Sequence, residues 1–187
     1  MDKEIIEKVR QFVEEECKKP TSKYGHDLYS YHIFPVVQIS KHLANLLNVD
    51  REVVELAAWL HDIGSIINGR EDHHITGAKI AEQKLRGFGY PEEKIRRVVL
   101  CVLSHRGSKS IKQQSVEEKI IAEADAIDAF DRLSGLFEAA YVFENKSREE
   151  ARDSVKNKLI NKWNQLTLEE SKRIVKPKYE AAMLLLK

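Results

Sequence analysis

From Asp2 to Leu186 the apolar residues recur at steps of three and four, and hardly any stretch alternates polar with apolar as a half-buried strand must. A chain with that period throughout folds as helix on helix, so the expected fold class is all-α. Eight glycines and four prolines in 187 residues, with no repeat and no low-complexity run, leave few breaks in the pattern. That length buries a core of its own yet does not call for a second one, so a single domain over residues 1–187 is expected.

The breaks that exist divide the chain. Ile5, Ile6, Val9 and Val13 mark a first helix that stops at Lys19-Pro20, and residues 21–27 read as a loop. A helix over about 30–47 places His32, Val36, Ile39 and Leu43 on one face. Asp50 reads as an N-cap, and Val54, Ala57, Ala58 and His61 continue a buried stripe until Gly64 ends that helix. A loop over 65–72 and a helix over 74–86 follow, then a helix opened by Pro91 whose Ile95, Val98, Val99 and Val102 lead to Ser104-His105-Arg106-Gly107. Ser115 with Glu118, and Ser147 with Glu150, form capping-box patterns ahead of helices over about 120–130 and 147–165. Helices over about 133–144 and 167–186 complete the chain, and no chemistry is evident in those carboxy-terminal segments.

Charge and cysteine content narrow the function. Thirty-one Lys and Arg against thirty Asp and Glu leave no net field to draw nucleic acid or an anionic membrane, so specific nucleic-acid binding is not expected. No apolar run reaches the roughly 20 residues of a membrane span, and the amino terminus is charged rather than signal-like, which points to the cytoplasm. Cys17 and Cys101 stand far apart, with no pairing of the zinc-thiolate kind. Any bound metal therefore rests on His and carboxylate. Neither a P-loop nor a G-x-G-x-x-G stretch occurs, which disfavours those nucleotide chemistries.

All seven histidines, numbers 26, 32, 42, 61, 73, 74 and 105, fall in the first 105 residues. Four stand at helix ends or on inward faces, where an imidazole without a partner costs several kcal/mol, on the order of a buried polar group. Neutral imidazole and carboxylate are the ligand set of Zn, Mn, Fe and Co, and helices can project them into a bundle core.

His32, the run Ala57 to Gly64 with its His61-Asp62 dyad, and Asp125 within Glu123 to Ala129 resemble the H…HD…D signature of the HD superfamily of metal-dependent phosphohydrolases. The resemblance covers about residues 24–131. Gly25-His26-Asp27 and the Ala-Asp-x-x-Asp-Ala stretch from Ala124 look like the small, largely uncharacterised bacterial HD hydrolases. The resemblance implies an HD-domain helical bundle with its metal-site core at about 24–131 and helices over 132–187 packed on it. It implies a divalent ion (Mn, Fe, Co, Zn, Ni or Mg) on His32, His61, Asp62 and Asp125, with Asp62 able to bridge two. Some branches add two histidines and a second ion. The first lies four residues before a small-residue pair, here Gly77-Ala78, which selects His73 over His74, and the second is His105. One ion or two remain open, as does whether His73 and His105 ligate directly or line the pocket.

Other residues carry two readings each. Arg106 either offers a guanidinium fork to substrate phosphate or is an exposed arginine past a helix end. His26 with Asp27 lines the pocket and touches substrate, or fixes its loop. His74 reads as a neighbour of the site that is either solvated or supports a ligand from behind, and His42, about 280° around the helix from His32, faces elsewhere. Asp128 orients a ligand or faces solvent. The resemblance implies hydrolysis of a phosphate ester, of a small nucleotide-like substrate, by a water that the ion activates. Asp62, His73 and His105 are then the catalytic set. The alternatives are an HD-type di-iron oxygenase and a nucleotide sensor without turnover; homo-oligomers are compatible with either.

Overall fold

The computed structural model describes residues 2–22, 24–106 and 111–187; Gly107, after Arg106, lies outside the described residues. No strand occurs among the described residues, in keeping with the all-α expectation. The chain forms two compact units, Met1–Ala124 and Asp125–Lys187, whose boundary falls within one helix.

In the first unit, α1 (Lys3–Lys18) starts where Asp2 accepts from the N–H groups of Glu4 and Ile5, and its Val9, Val13 and Cys17 are buried. It ends before Pro20, because the residue preceding a proline is pushed out of the helical region, and Lys19 is extended. The helix that carries His32 begins earlier than its periodicity suggests. Tyr29–Ile33 form a π-helical turn that runs directly into α2 (Phe34–Leu47). Pro35 gives the reason: it has no N–H to donate and its ring crowds the carbonyl four residues back, so the backbone widens there. The inward face of α2 is Val36, Val37, Ser40, Leu43 and Ala44, and Ile39 is only half-buried.

Asp50 caps α3 (Arg51–Leu60), accepting from Glu52 and Val53 at 3.1 and 3.3 Å. Every α3 residue from Glu52 to Leu60 is buried, and α1, α2 and α6 (Glu92–Ser104) pack around it. The buried Glu52 carboxylate accepts from the Asp2 N–H at 2.5 Å, the Tyr90 hydroxyl at 2.7 Å and Lys94 Nζ at 2.9 Å. Gly64 does not end α3. The chain turns at Asp62 and re-enters a short helix, α4 (Ile63–Asn68), so the expected loop shrinks to residues 69–72 before α5 (His73–Gly87). Pro91 stands at the N-cap of α6 rather than inside it. The Ser115–Glu118 capping box is present, at 3.3 and 3.2 Å, ahead of α7 (Val116–Asp131).

The second unit holds the end of α7, α8 (Leu133–Glu138), a π-helical turn over Ala139–Phe143, α9 (Arg148–Gln165) and α10 (Glu169–Leu185). Ser147 and Glu150 close a reciprocal capping box on α9. Ala151, Val155, Leu159, Val175 and Ala182 are buried, and Trp163 stacks on Tyr179 at 4.8 Å. No helix among the described residues is long and apolar enough to cross a membrane.

Candidate metal centre

Four short-range features bring five side chains together in the first unit. The π-helical turn holds His32 inward, the end of α3 carries His61 and then Asp62, the start of α5 carries His73, and His105 follows α6. The histidines among them are all buried, His61 completely. Close packing of α4 on α5 depends on Gly64, since a Cβ there would lie 2.1 Å from the His73 carbonyl oxygen and 2.6 Å from the Gly77 nitrogen. A Cβ added on Gly77, the other side of the same contact, would lie 3.2 Å from the Gly64 nitrogen. Two glycines thus let the chain just beyond Asp62 lie against the turn that carries His73.

Asp62 stands between two imidazole pairs. His32 Nε2 and His61 Nε2 are 3.2 Å apart, and Asp62 Oδ2 lies 3.3 and 3.9 Å from them. His73 Nε2 and His105 Nε2 are likewise 3.2 Å apart, with Asp62 Oδ1 at 3.4 and 3.7 Å. Each carboxylate oxygen therefore faces one pair.

Backbone carbonyls decide the tautomers. A carbonyl can only accept, so Nδ1–H of His61 donates to Ala58 (2.8 Å), that of His73 to Arg70 (2.9 Å) and that of His105 to Val102 (2.6 Å). In the neutral ring each Nε2 then bears a bare lone pair. His73 and His105 point two such lone pairs at each other in a buried place, where a shared cation rather than a hydrogen bond would relieve the repulsion. Two ligand atoms about 2.1 Å from one ion, at ordinary coordination angles, stand about 3.0–3.5 Å apart. Both Nε2 pairs meet that test, and the donor set suits a divalent ion. His32, His61 and Asp62 form one candidate set, and Asp62, His73 and His105 the other.

Burial alone would raise the Asp62 carboxyl, but hydrogen bonds with His105 and His32 and the charge of His61, which His105 and His61 supply only when their rings are protonated, outweigh it and hold the carboxyl well below the usual carboxylate range. Burial lowers His73, more than Asp62 and the Arg70 carbonyl raise it. Asp62 is thus an anion and His73 a neutral imidazole near pH 7.

Other expected residues fall in several places. Asp125 opens the second unit, where Lys162 Nζ donates to its Oδ2 at 2.5 Å. Nothing in the lysine-rich stretch around Lys162 marks it in the sequence; only the packing of α9 makes it a partner. Arg106 is half-buried, and its charge reaches both His73 and His74. His26 is exposed, stacked on Tyr29 at 5.5 Å and 3.8 Å from Glu14, which ties down its loop. His74 is not solvated: it is buried beside His73, with ring centroids 6.0 Å apart, because the first turn of α5 packs inward on both sides. His42 is exposed, and Asp128 is buried with Arg132 Nε at 2.6 Å rather than facing solvent.

The HD domain family model matches residues 29–129, more than half of the chain. A tRNA (cytidine(56)-2'-O)-methyltransferase from Picrophilus torridus is 30% identical over 142 residues, 70% of this chain and 40% of that protein. Ribonuclease Y from Borreliella burgdorferi is 32% identical over 186 residues, 87% of this chain and 34% of that protein. The chain thus spans only about a third to two-fifths of these relatives. An HD-superfamily hydrolase from Bacillus thuringiensis shares the fold with a TM-score of 0.75 at 20% identity, over 100% of this chain and 95% of that one. YpgQ of Bacillus subtilis in complex with ADP gives 0.73 at 19%, over 97% and 90%.

Proposed function

Since the chain belongs to the HD domain family, we propose that it is a metal-dependent phosphohydrolase that cleaves a phosphate ester of a nucleotide or nucleotide-like substrate. The observation that carries this reading is the pair of 3.2 Å Nε2 contacts on either side of Asp62. It supports two adjacent ions, one on His32, His61 and Asp62, the other on Asp62, His73 and His105. The H…HD…D pattern adds Asp125 to the first set. When bound, such ions polarise a phosphoryl oxygen and lower the pKa of a bound water.

The chain's own residues do the rest. Asp62, ionised and shared by both sets, is the carboxylate placed to take the proton of the attacking water. The Nδ1 anchors of His61, His73 and His105 keep each ring from rotating, so the Nε2 lone pairs stay convergent whether or not substrate is present. Arg106, beside His73 and His74, neutralises charge that builds on the phosphoryl oxygens. His26 serves its loop rather than the substrate.

Two of the similar proteins widen the substrate panel. The ADP bound by YpgQ favours nucleotides, and the name ribonuclease Y adds RNA oligonucleotides. The test is hydrolysis of phosphomonoesters, nucleotides, dinucleoside polyphosphates, cyclic dinucleotides and short RNA by purified protein with Mn²⁺, Co²⁺, Zn²⁺, Ni²⁺ and Mg²⁺ in turn. Activity with at least one metal that Asp62→Ala abolishes is the expected result. Tight nucleotide binding with no product under any metal overturns hydrolysis, and O₂ consumption with iron alone moves the site to redox chemistry.

A further inference from the structure

The first turn of α5 carries a second imidazole that the metal centre does not use. His74 is 4% exposed, its ring centroid lies 6.0 Å from that of His73, and its Nδ1 is sealed off with no hydrogen-bond partner. We propose that His74 is a substrate contact: with Arg106 it forms a phosphate-binding pair beside His73 and His105, its Nε2–H donating to a phosphoryl oxygen. All four residues lie in the first unit. This rests on the reading above, in which His73 and His105 hold an ion and the substrate is a phosphate ester.

Three observations favour this over a purely structural histidine. First, the rings of His61, His73 and His105 are each pinned through Nδ1–H to a carbonyl three residues back, and His74 has no such anchor. A buried nitrogen left without a partner destabilises the fold, so stability does not account for an imidazole there. Second, the neutral ring carries one proton, and a sealed N–H with no acceptor is costlier than a bare lone pair with no donor. The proton therefore sits on Nε2. That nitrogen has no hydrogen-bond partner among the described residues either, but it is not sealed, so its N–H is left for a ligand. Third, Arg106 directly follows His105, is half-buried, and its charge reaches both His73 and His74. Among the described residues no carboxylate pairs with its guanidinium. A half-buried cation without a counter-ion, next to an N–H without an acceptor, calls for an anion, and phosphate has oxygens enough for both donors and for an ion.

The probe is inorganic phosphate titrated by calorimetry into the Mn²⁺-loaded full chain, alongside elemental analysis of each variant. His74→Phe, which keeps a ring and removes the N–H, is expected to hold wild-type manganese content and helical circular dichroism while phosphate affinity falls about tenfold or more. Glutamine brings its amide N–H to about the place of Nε2 and asparagine only to that of Nδ1, so His74→Gln should recover most of the affinity and His74→Asn little of it. Arg106→Met should weaken phosphate to a similar degree, again with full metal. On any substrate the protein turns over, KM should rise more than kcat falls. Should His74→Phe fail to fold, His74→Leu carries the same comparison. Wild-type phosphate affinity in either His74→Phe or Arg106→Met overturns the proposal, as does a wild type that takes up no phosphate. Loss of manganese in His74→Phe makes His74 a support of its neighbour instead, and overturns it too. Asp62→Ala separates the two layers: full manganese content there removes the metal centre itself, whereas a metal-free Asp62→Ala beside a His74→Phe of wild-type phosphate affinity removes only the role of His74.

Discussion

Substituting Gly64 by alanine tests whether the contact between α4 and α5 builds half of the metal centre. The new Cβ would stand 2.1 Å from the His73 carbonyl oxygen and 2.6 Å from the Gly77 nitrogen, both backbone atoms that cannot swing aside. Relief requires the two helices to part by about 1 Å. Overpacking of that kind costs about 3 kcal/mol, which for a chain of this size lowers Tm by roughly 6–12 °C. The displacement matters more than the energy. Metal ligands tolerate shifts of only about 0.2 Å, and a 1 Å movement of His73 takes its Nε2 out of register with His105 and Asp62. His32, His61 and Asp62 precede the strained contact and keep their geometry. Gly64→Ala should therefore lose about one ion per chain by elemental analysis while retaining the other, with a helical far-UV spectrum and a lower melting temperature. His73→Ala should match that loss of metal with less loss of stability. Gly77→Ala, whose Cβ meets nothing nearer than 3.2 Å, should be milder on both counts. A Gly64→Ala protein with wild-type metal content and melting temperature would refute the reasoning.

Asp62→Ala removes the only residue common to both candidate sets, so most of the metal and all hydrolysis should go while the helical spectrum persists; retention of either measured quantity removes Asp62 from the centre. Chelation should lower Tm in a concentration-dependent way, because an ion present at 100 times its Kd contributes about 2.7 kcal/mol per site, and an unchanged melting curve in excess chelator argues against resident metal. The Glu52 network predicts a pH dependence of stability. Burial raises its carboxyl, but the Tyr90 hydroxyl, Lys94 and the Asp2 N–H outweigh that and hold it at about 2 against a usual 4.5. The native chain then binds fewer protons than the unfolded one, so the stabilisation is complete above the unfolded value and is lost as pH falls from about 4.5 towards 2. Glu52→Gln should cost about 2–3 kcal/mol at pH 7 and flatten that part of the profile in urea titrations; an unaltered acid transition sinks the assignment.

Local rules carried the helical reading a long way. Asp50, Ser115 with Glu118 and Ser147 with Glu150 cap where their side chains say they should, because an N-cap bond spans only two or three residues and needs no partner from elsewhere. His32, His61-Asp62 and the histidines at helix ends pointed to one cluster for a similar reason, as each is positioned by its own helix. Gly64 was read as a helix stop, since sequence alone does not separate a glycine that breaks a helix from one that lets two helices touch. Whether His74 is solvated or supports the site stays open in the sequence, because its burial depends on what packs against the α5 start.

What the sequence determined by itself is the all-helical class, the caps and the set of residues able to bind metal, all products of interactions within one or two turns. What only the tertiary structure decided is their division around Asp62 into two imidazole pairs, one for each carboxylate oxygen, and the attachment of Lys162 to Asp125. Those depend on side chains from 11 to 43 residues apart meeting within 4 Å, and such distances are set by helix packing, to which the local period is blind.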